Sequence, residues 1–195
     1  LLSAAQHAGH VIPVVPQALL ERPVTLRTGI GRAHDSTSTK SAEAQAFYDQ
    51  GLAYLHSYVW IEAARAFHQA LRLDPGLALA HVGLSYAYIE VNKPVEARQA
   101  IERAKALASG NPATFAQGAT ADKKGLPPHE RHHVEARILQ MAAEDAPRDA
   151  AKLAAYRQAL DGALDGVTEE LGCLGSDARM LQYELGAEQI FTIGR

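Results

Sequence analysis

An all-α fold, an α-solenoid of antiparallel helix hairpins behind an extended N-terminal arm, is the architecture this sequence predicts, on three observations. Aromatic residues are only 6% of the chain while alanine is abundant, which suits close helix-helix packing better than a β-sandwich built on β-branched and aromatic side chains. Proline-bearing turns cut the helical stretch between Ser41 and Leu107 at regular places. The blocks Ala44–Leu77 and Ala78–Asn111 align at a period of about 34 residues, a length that denotes stacked helical hairpins. Hydrophobic residues at 47% of 195 supply a core and exclude wholesale disorder.

The elements follow in order. Residues 1–40 carry Pro13, Pro16, Pro23, Gly29 and Gly31, which forbid a long helix and predict an extended arm whose apolar residues pack on the repeats. The DSTSTK run, Asp35 to Lys40, links the arm to a helix start with Ser41 as N-cap and Ala44 at the capping-box position. Residues 41–111 then hold two hairpins, interrupted at Asp74-Pro75-Gly76 and Asn92-Lys93-Pro94, where proline ends one helix or opens the next. Residues 112–128, rich in Gly, Pro and small polar side chains, read as a flexible connection, and residues 129–165 as a further helical hairpin broken near Ala146-Pro147. Gly166, Gly172, Gly175 and Gly186 limit the tail, 166–195, to short helices.

Charge and cysteine content narrow the function. Nineteen basic residues are scattered among 22 acidic ones, with a net charge of −3, so no basic stripe is available to nucleic acid. Cys173 stands alone, excluding an internal disulfide and any multi-cysteine metal site. No apolar run approaches the ~20 residues of a membrane span. The opening LLSAAQHAGH fits the trailing end of an export signal and a fragment boundary equally well, so periplasmic and cytoplasmic locations both stay open.

In the first block Phe47 takes a large aromatic position, Gly51 the small position where two helices approach, and Tyr54 the site one turn later; Ala63, Phe67, Ala70 and Pro75 follow, and only Gln50 departs, where leucine is usual. The second block places His81, Leu84, Ser85, Tyr88, Ala97, Ile101 and Ala104 at the equivalent sites, with Ser109 for the closing proline. Over residues 44–111 the chain resembles the tetratricopeptide repeat family. Small residues there let antiparallel helices approach to ~8–10 Å while large ones fill the grooves. Tyr156 and Ala159 repeat the spacing of Phe67 and Ala70, which makes residues 129–165 a degenerate third hairpin that helps complete the stack. The arm followed by YLHSYVWIEAARAFHQALRLDP is similar to bacterial tetratricopeptide proteins, many of them exported.

The resemblance implies a concave face lined by the first helix of each hairpin and a protein or peptide partner bound there. The matching groove positions are Tyr48, Leu52, Leu55 and His56, with Gln45, in the first hairpin, and Val82, Tyr86 and Ile89, with Leu79 and Glu90, in the second. They are mostly apolar, and the Lys, Arg and Asn set of carboxylate-clamping relatives is missing. The expected function is a non-catalytic interaction scaffold without cofactor, its groove covering an apolar segment of a partner or of the chain's own arm; burial of the same side chains by the C-terminal helices is the structural alternative.

The competing class is a metal-binding protein or metal-dependent hydrolase using His129, His132 and His133 in PHERHHVEAR. His129 and His133 lie one helical turn apart, but HERHH lacks the HExxH spacing and no third ligand is evident, so a solvated helix start is expected. His56, Glu62 and His68 fall on different helices of one hairpin and read as its polar positions. Trp60 reads as packing at the start of a helix. His7, His10 and His34 lie in the arm with no fixed geometry, and neither Cys173 in GCLGS nor GIGRAH has the strand framework that nucleophile or dinucleotide turns require.

Overall fold

The computed structural model describes residues 14–110 and 125–170, of residues 162–170 the helical backbone only. His7, His10, Cys173, the core of the 112–128 connection and the tail beyond 170 lie outside the described residues. The architecture is all-α: α1 (Gln17–Leu20), α2 (Ala42–His56), α3 (Trp60–Leu73), α4 (Ala78–Glu90), α5 (Pro94–Ala108), α6 (Pro128–Asp145) and α7 (Ala150–Glu170). Helices α2/α3, α4/α5 and α6/α7 pair as hairpins; α3 packs on α4, and α6 lies against α4 and α5. The α7 helix runs past residue 165, where the third hairpin was expected to end, because Gly162 and Gly166 cost a helix about 1 kcal/mol each rather than breaking it.

Local signals account for the helix ends. Ser41 Oγ accepts from the Ala44 amide at 3.1 Å and caps α2. Pro94 opens α5 and Pro128 opens α6, positions where the missing amide hydrogen has no intrahelical partner to lose. Tyr58 and Asn92, one repeat period apart, both have left-handed backbone, with φ of 60° and 58°. After each, an amide bonds back to the carbonyl five residues earlier, Val59 to Tyr54 at 2.9 Å and Lys93 to Tyr88 at 2.8 Å. The two hairpins thus close by one C-terminal motif, and this shared turn is independent evidence for the repeat.

The core follows the small-large alternation. Phe67 is fully buried and lies between two glycines on neighbouring helices. A methyl group on Gly51 would stand 2.4 Å from its ring and one on Gly83 2.5 Å, so one aromatic fixes how α2, α3 and α4 meet. Ala63, Ala70, Ala97 and Ala104 are fully buried, permitting close approach in both hairpins. Of these contacts only Gly83 went unremarked in the sequence.

The arm packs along the repeats. Leu20 is fully buried, and Val15, Val24 and Ile30 pack against the core. Arg65 of α3 donates to the carbonyls of Arg22 and Pro23 at 3.4 and 3.1 Å, and Arg72 donates to that of Glu21. Gln17 donates to the Tyr88 hydroxyl at 2.9 Å, and that hydroxyl bonds His68 Nε2 at 2.7 Å.

Candidate functional site

Between α2 and α4 the surface opens into a small concavity of about 70 Å3. Tyr48, Leu52, Leu55, His56, Val82 and Tyr86 line it, together with Leu79 and Gly83. The spacing places them there: Leu52 and His56 lie one turn apart on α2, as do Leu79, Val82 and Tyr86 at three and four residues on α4. Ile89 does not reach the cavity; it is 37% exposed in the last turn of α4, and Glu90 beside it is exposed too.

The second wall comes from the arm and the C-terminal helices, both expected to meet this face, but not through the arm's apolar residues. Ala33, His34 and Asp35 of the arm and His133 of α6 complete the lining. From Ala33 to Lys40 the exposure alternates with a period of two: Ala33, Asp35, Thr37 and Thr39 are half-buried, while His34, Ser36, Ser38 and Lys40 are exposed. All of these side chains are small or polar, so no hydrophobic alternation in the sequence could reveal this segment's packing.

Side chains of α2 and α6 hold this segment largely by its backbone. Gln45 Nε2 donates to the Asp35 carbonyl at 2.8 Å, and Gln45 Oε1 accepts from the Thr37 amide at 3.0 Å. His129 donates to the Ser36 carbonyl at 2.7 Å, and Glu130 accepts the Ser38 amide. Asp35 accepts from the Tyr48 hydroxyl at 3.3 Å and lies 3.8 Å from His133, while His34 pairs with Asp49 at 2.7 Å. Burial, reinforced by Asp35, holds the Tyr48 phenol well above its usual range. The hydrogen bond to Asp49 raises His34, whereas burial lowers His133 despite the neighbouring Asp35.

Glu130 corrects the expectation of a solvated start to α6: its side chain is 0% exposed, and burial raises its carboxyl group above the ordinary range. The arm's Ser38 amide is its hydrogen-bond partner. The neighbouring histidines diverge: His129 turns to Ser36, His132 Nε2 bonds the Ala159 carbonyl of α7 at 2.7 Å, and His133 faces Asp35. No group of three or more His, Cys, Asp or Glu among the described residues is arranged to hold a metal ion. His56 is exposed at the cavity mouth and His68 is tied to Tyr88, so these also stand apart. Trp60 meets Tyr58 edge-on with ring centroids 5.3 Å apart.

At its far end the cavity is closed by α6. The Arg137 guanidinium lies 3.8 Å from the centre of the Tyr86 ring and donates to Ser85 Oγ at 2.9 Å and to the Ser85 carbonyl at 3.2 Å. Gln140 accepts from the Tyr86 hydroxyl at 2.8 Å. Tyr86 therefore shows the cavity only part of its ring, and the C-terminal hairpin buries the remainder. The concave face is thus open over the cavity and covered by α6 beside it.

A family model described as the tetratricopeptide repeat matches residues 60–116, which span α3, α4 and α5. No curated protein and no solved structure matches the chain. No described helix is long and apolar enough to cross a membrane. The matched segment contains Phe67 against Gly83, the buried alanines of the second hairpin and its left-handed closing turn, and over that segment the chain is similar to the tetratricopeptide repeat family.

Proposed function

We propose that this protein is a non-catalytic interaction scaffold and that the cavity between α2 and α4 receives an apolar side chain of a protein partner. Tetratricopeptide repeats in general mediate contacts between proteins; the specific site rests on the cavity itself. Leu52, Leu55, Leu79 and Val82 form an apolar floor, and His34, Asp35, His56 and His133 provide polar groups around it. An apolar pocket with few polar groups at its edge is the usual form of an anchor site. Its size suits a short segment with one large anchor, since the arm and α6 cover the rest of the face.

Selection of a random displayed-peptide library on the immobilised full chain tests this. The expected outcome is enrichment of peptides sharing a large apolar residue, bound by the wild type and lost in Leu52→Asp, with circular dichroism confirming that the variant is folded. Peptides with no common apolar residue, or equal binding by folded Leu52→Asp, would overturn the assignment.

A further inference from the structure

We propose that residues 33–39 are a built-in pseudo-ligand: the arm occupies the backbone slot of the concave face, and a partner enters by replacing it with an extended segment that carries a large apolar residue two positions before a carboxylate. This rests on reading the cavity as the partner site and specifies what the site recognises.

The slot is read through the main chain. Gln45, His129 and Glu130 bond four successive residues of the arm at backbone atoms. Such bonds give affinity for any extended chain, while pockets for alternate side chains give selectivity. In the arm those alternate side chains are Ala33, Asp35, Thr37 and Thr39. Asp35 is matched by the Tyr48 hydroxyl and His133, and Thr39 donates to Asp74, the residue that follows α3, at 2.6 Å. Ala33 is not matched in size. It borders the cavity floored by Leu52, Leu79 and Val82, and a methyl group leaves that space open. The arm satisfies the backbone slot and underfills its apolar pocket.

A tethered segment competes at an effective concentration of order millimolar. A weak, underfilled contact in cis can therefore hold the slot while yielding to a better-fitting segment in trans. The pattern expected of that segment is the arm's own, with the alanine enlarged.

The probe is a fluorescent peptide, GRLHDSTSTK, the sequence of residues 31–40 with leucine in place of Ala33, titrated by anisotropy into three full-length proteins. In Asp35→Ala/Thr37→Ala the arm is weakened while the slot residues are untouched, and the peptide is expected to bind about tenfold more tightly than to wild type, as the occupied fraction falls. In Ala33→Leu the arm fills its own pocket, and the peptide is expected to bind about tenfold more weakly, with a raised Tm. Equal affinity for all three proteins, abolished by Leu52→Asp, would overturn the pseudo-ligand and leave the cavity as a partner site. Absence of binding to folded Asp35→Ala/Thr37→Ala would overturn the proposed partner pattern, while the library selection judges the cavity independently.

Discussion

The first and second hairpins share one template and differ where each meets something that is not a repeat. In the first, Gln50 stands where the family has leucine. Its amide accepts from the Arg27 amide at 2.7 Å and donates to the Thr25 carbonyl at 3.2 Å, gripping the arm as a neighbouring strand would. In the second, Ser85 stands where the first has Gly51. Its hydroxyl receives Arg137 of α6 and itself donates to the Val82 carbonyl at 2.7 Å. Departures from the repeat template are the docking points of the arm and of the third hairpin. A two-repeat stack leaves both of its ends uncovered; this chain covers one with proline-stiffened coil and the other with a buried arginine.

The largest effect belongs to the residue the two hairpins share. Phe67→Ala removes the ring that separates Gly51 from Gly83 and is expected to cost about 3–5 kcal/mol, measured by urea denaturation. Because the ring contacts both glycines, both hairpins should lose amide protection together. Selective loss in the first hairpin alone would mean that α4 is held mainly by α5 and α6.

Next comes the C-terminal dock. Arg137 is 2% exposed, and Arg137→Ala gives up its stacking on Tyr86 and its bonds to Ser85, a loss of about 2–4 kcal/mol. Arg137→Met keeps the bulk, and Ser85 retains its bond to Val82, so it should cost about 1 kcal/mol, since apolar replacement of a buried charge is often nearly neutral. Equal losses for the two variants would show that polar bonding rather than shape holds α6.

The hairpins also differ in pH response. His81 takes the position Phe47 occupies in the first, and its imidazole is lowered to about 4, chiefly by burial and then by Arg103. The folded state keeps this ring neutral, so its contribution is complete above pH 6.5 and is lost as pH falls from there toward 4. With partial exposure discounted, the loss amounts to about 1–2 kcal/mol. The difference between wild type and His81→Phe in urea midpoint should shrink on moving from pH 4.5 to 7.5; a constant difference would leave His81 out of the acid response.

How far the sequence reveals this molecule depends on whether a feature is periodic. Gly51, Ala63, Phe67 and Ala70 recur at helical spacing, so the hairpins, Ser41 as cap and six of the residues that line the cavity are legible. Ala33, His34 and Asp35 carry no period that a hydrophobic reading detects, and His133 becomes part of the cavity only because the arm crosses it. Glu130 looked like an exposed acid at a helix start, and only a partner 92 residues away in sequence, the Ser38 amide, makes it a buried one. Polar contacts between distant segments leave no local mark.

Gln50→Leu makes the sharpest comparison of the two hairpins with the smallest effect. A consensus argument expects stabilisation, because leucine fills this position in the family and Leu84 fills it, buried, in the second hairpin. The hydrogen bonds to Thr25 and Arg27 point the other way: two arm backbone groups lose their partners, at about 0.5–1.5 kcal/mol for each net bond. Both lie on exposed residues that can turn to water, and the new leucine recovers part of the loss through burial. A net destabilisation of about 1 kcal/mol is expected, with hydrogen exchange accelerated at the Arg27 amide and unchanged in α4 and α5. Stabilisation with unaltered exchange at Arg27 would mean that Val24 and Ile30 anchor the arm by packing alone, and that Gln50 is tolerated at the site rather than chosen by the arm.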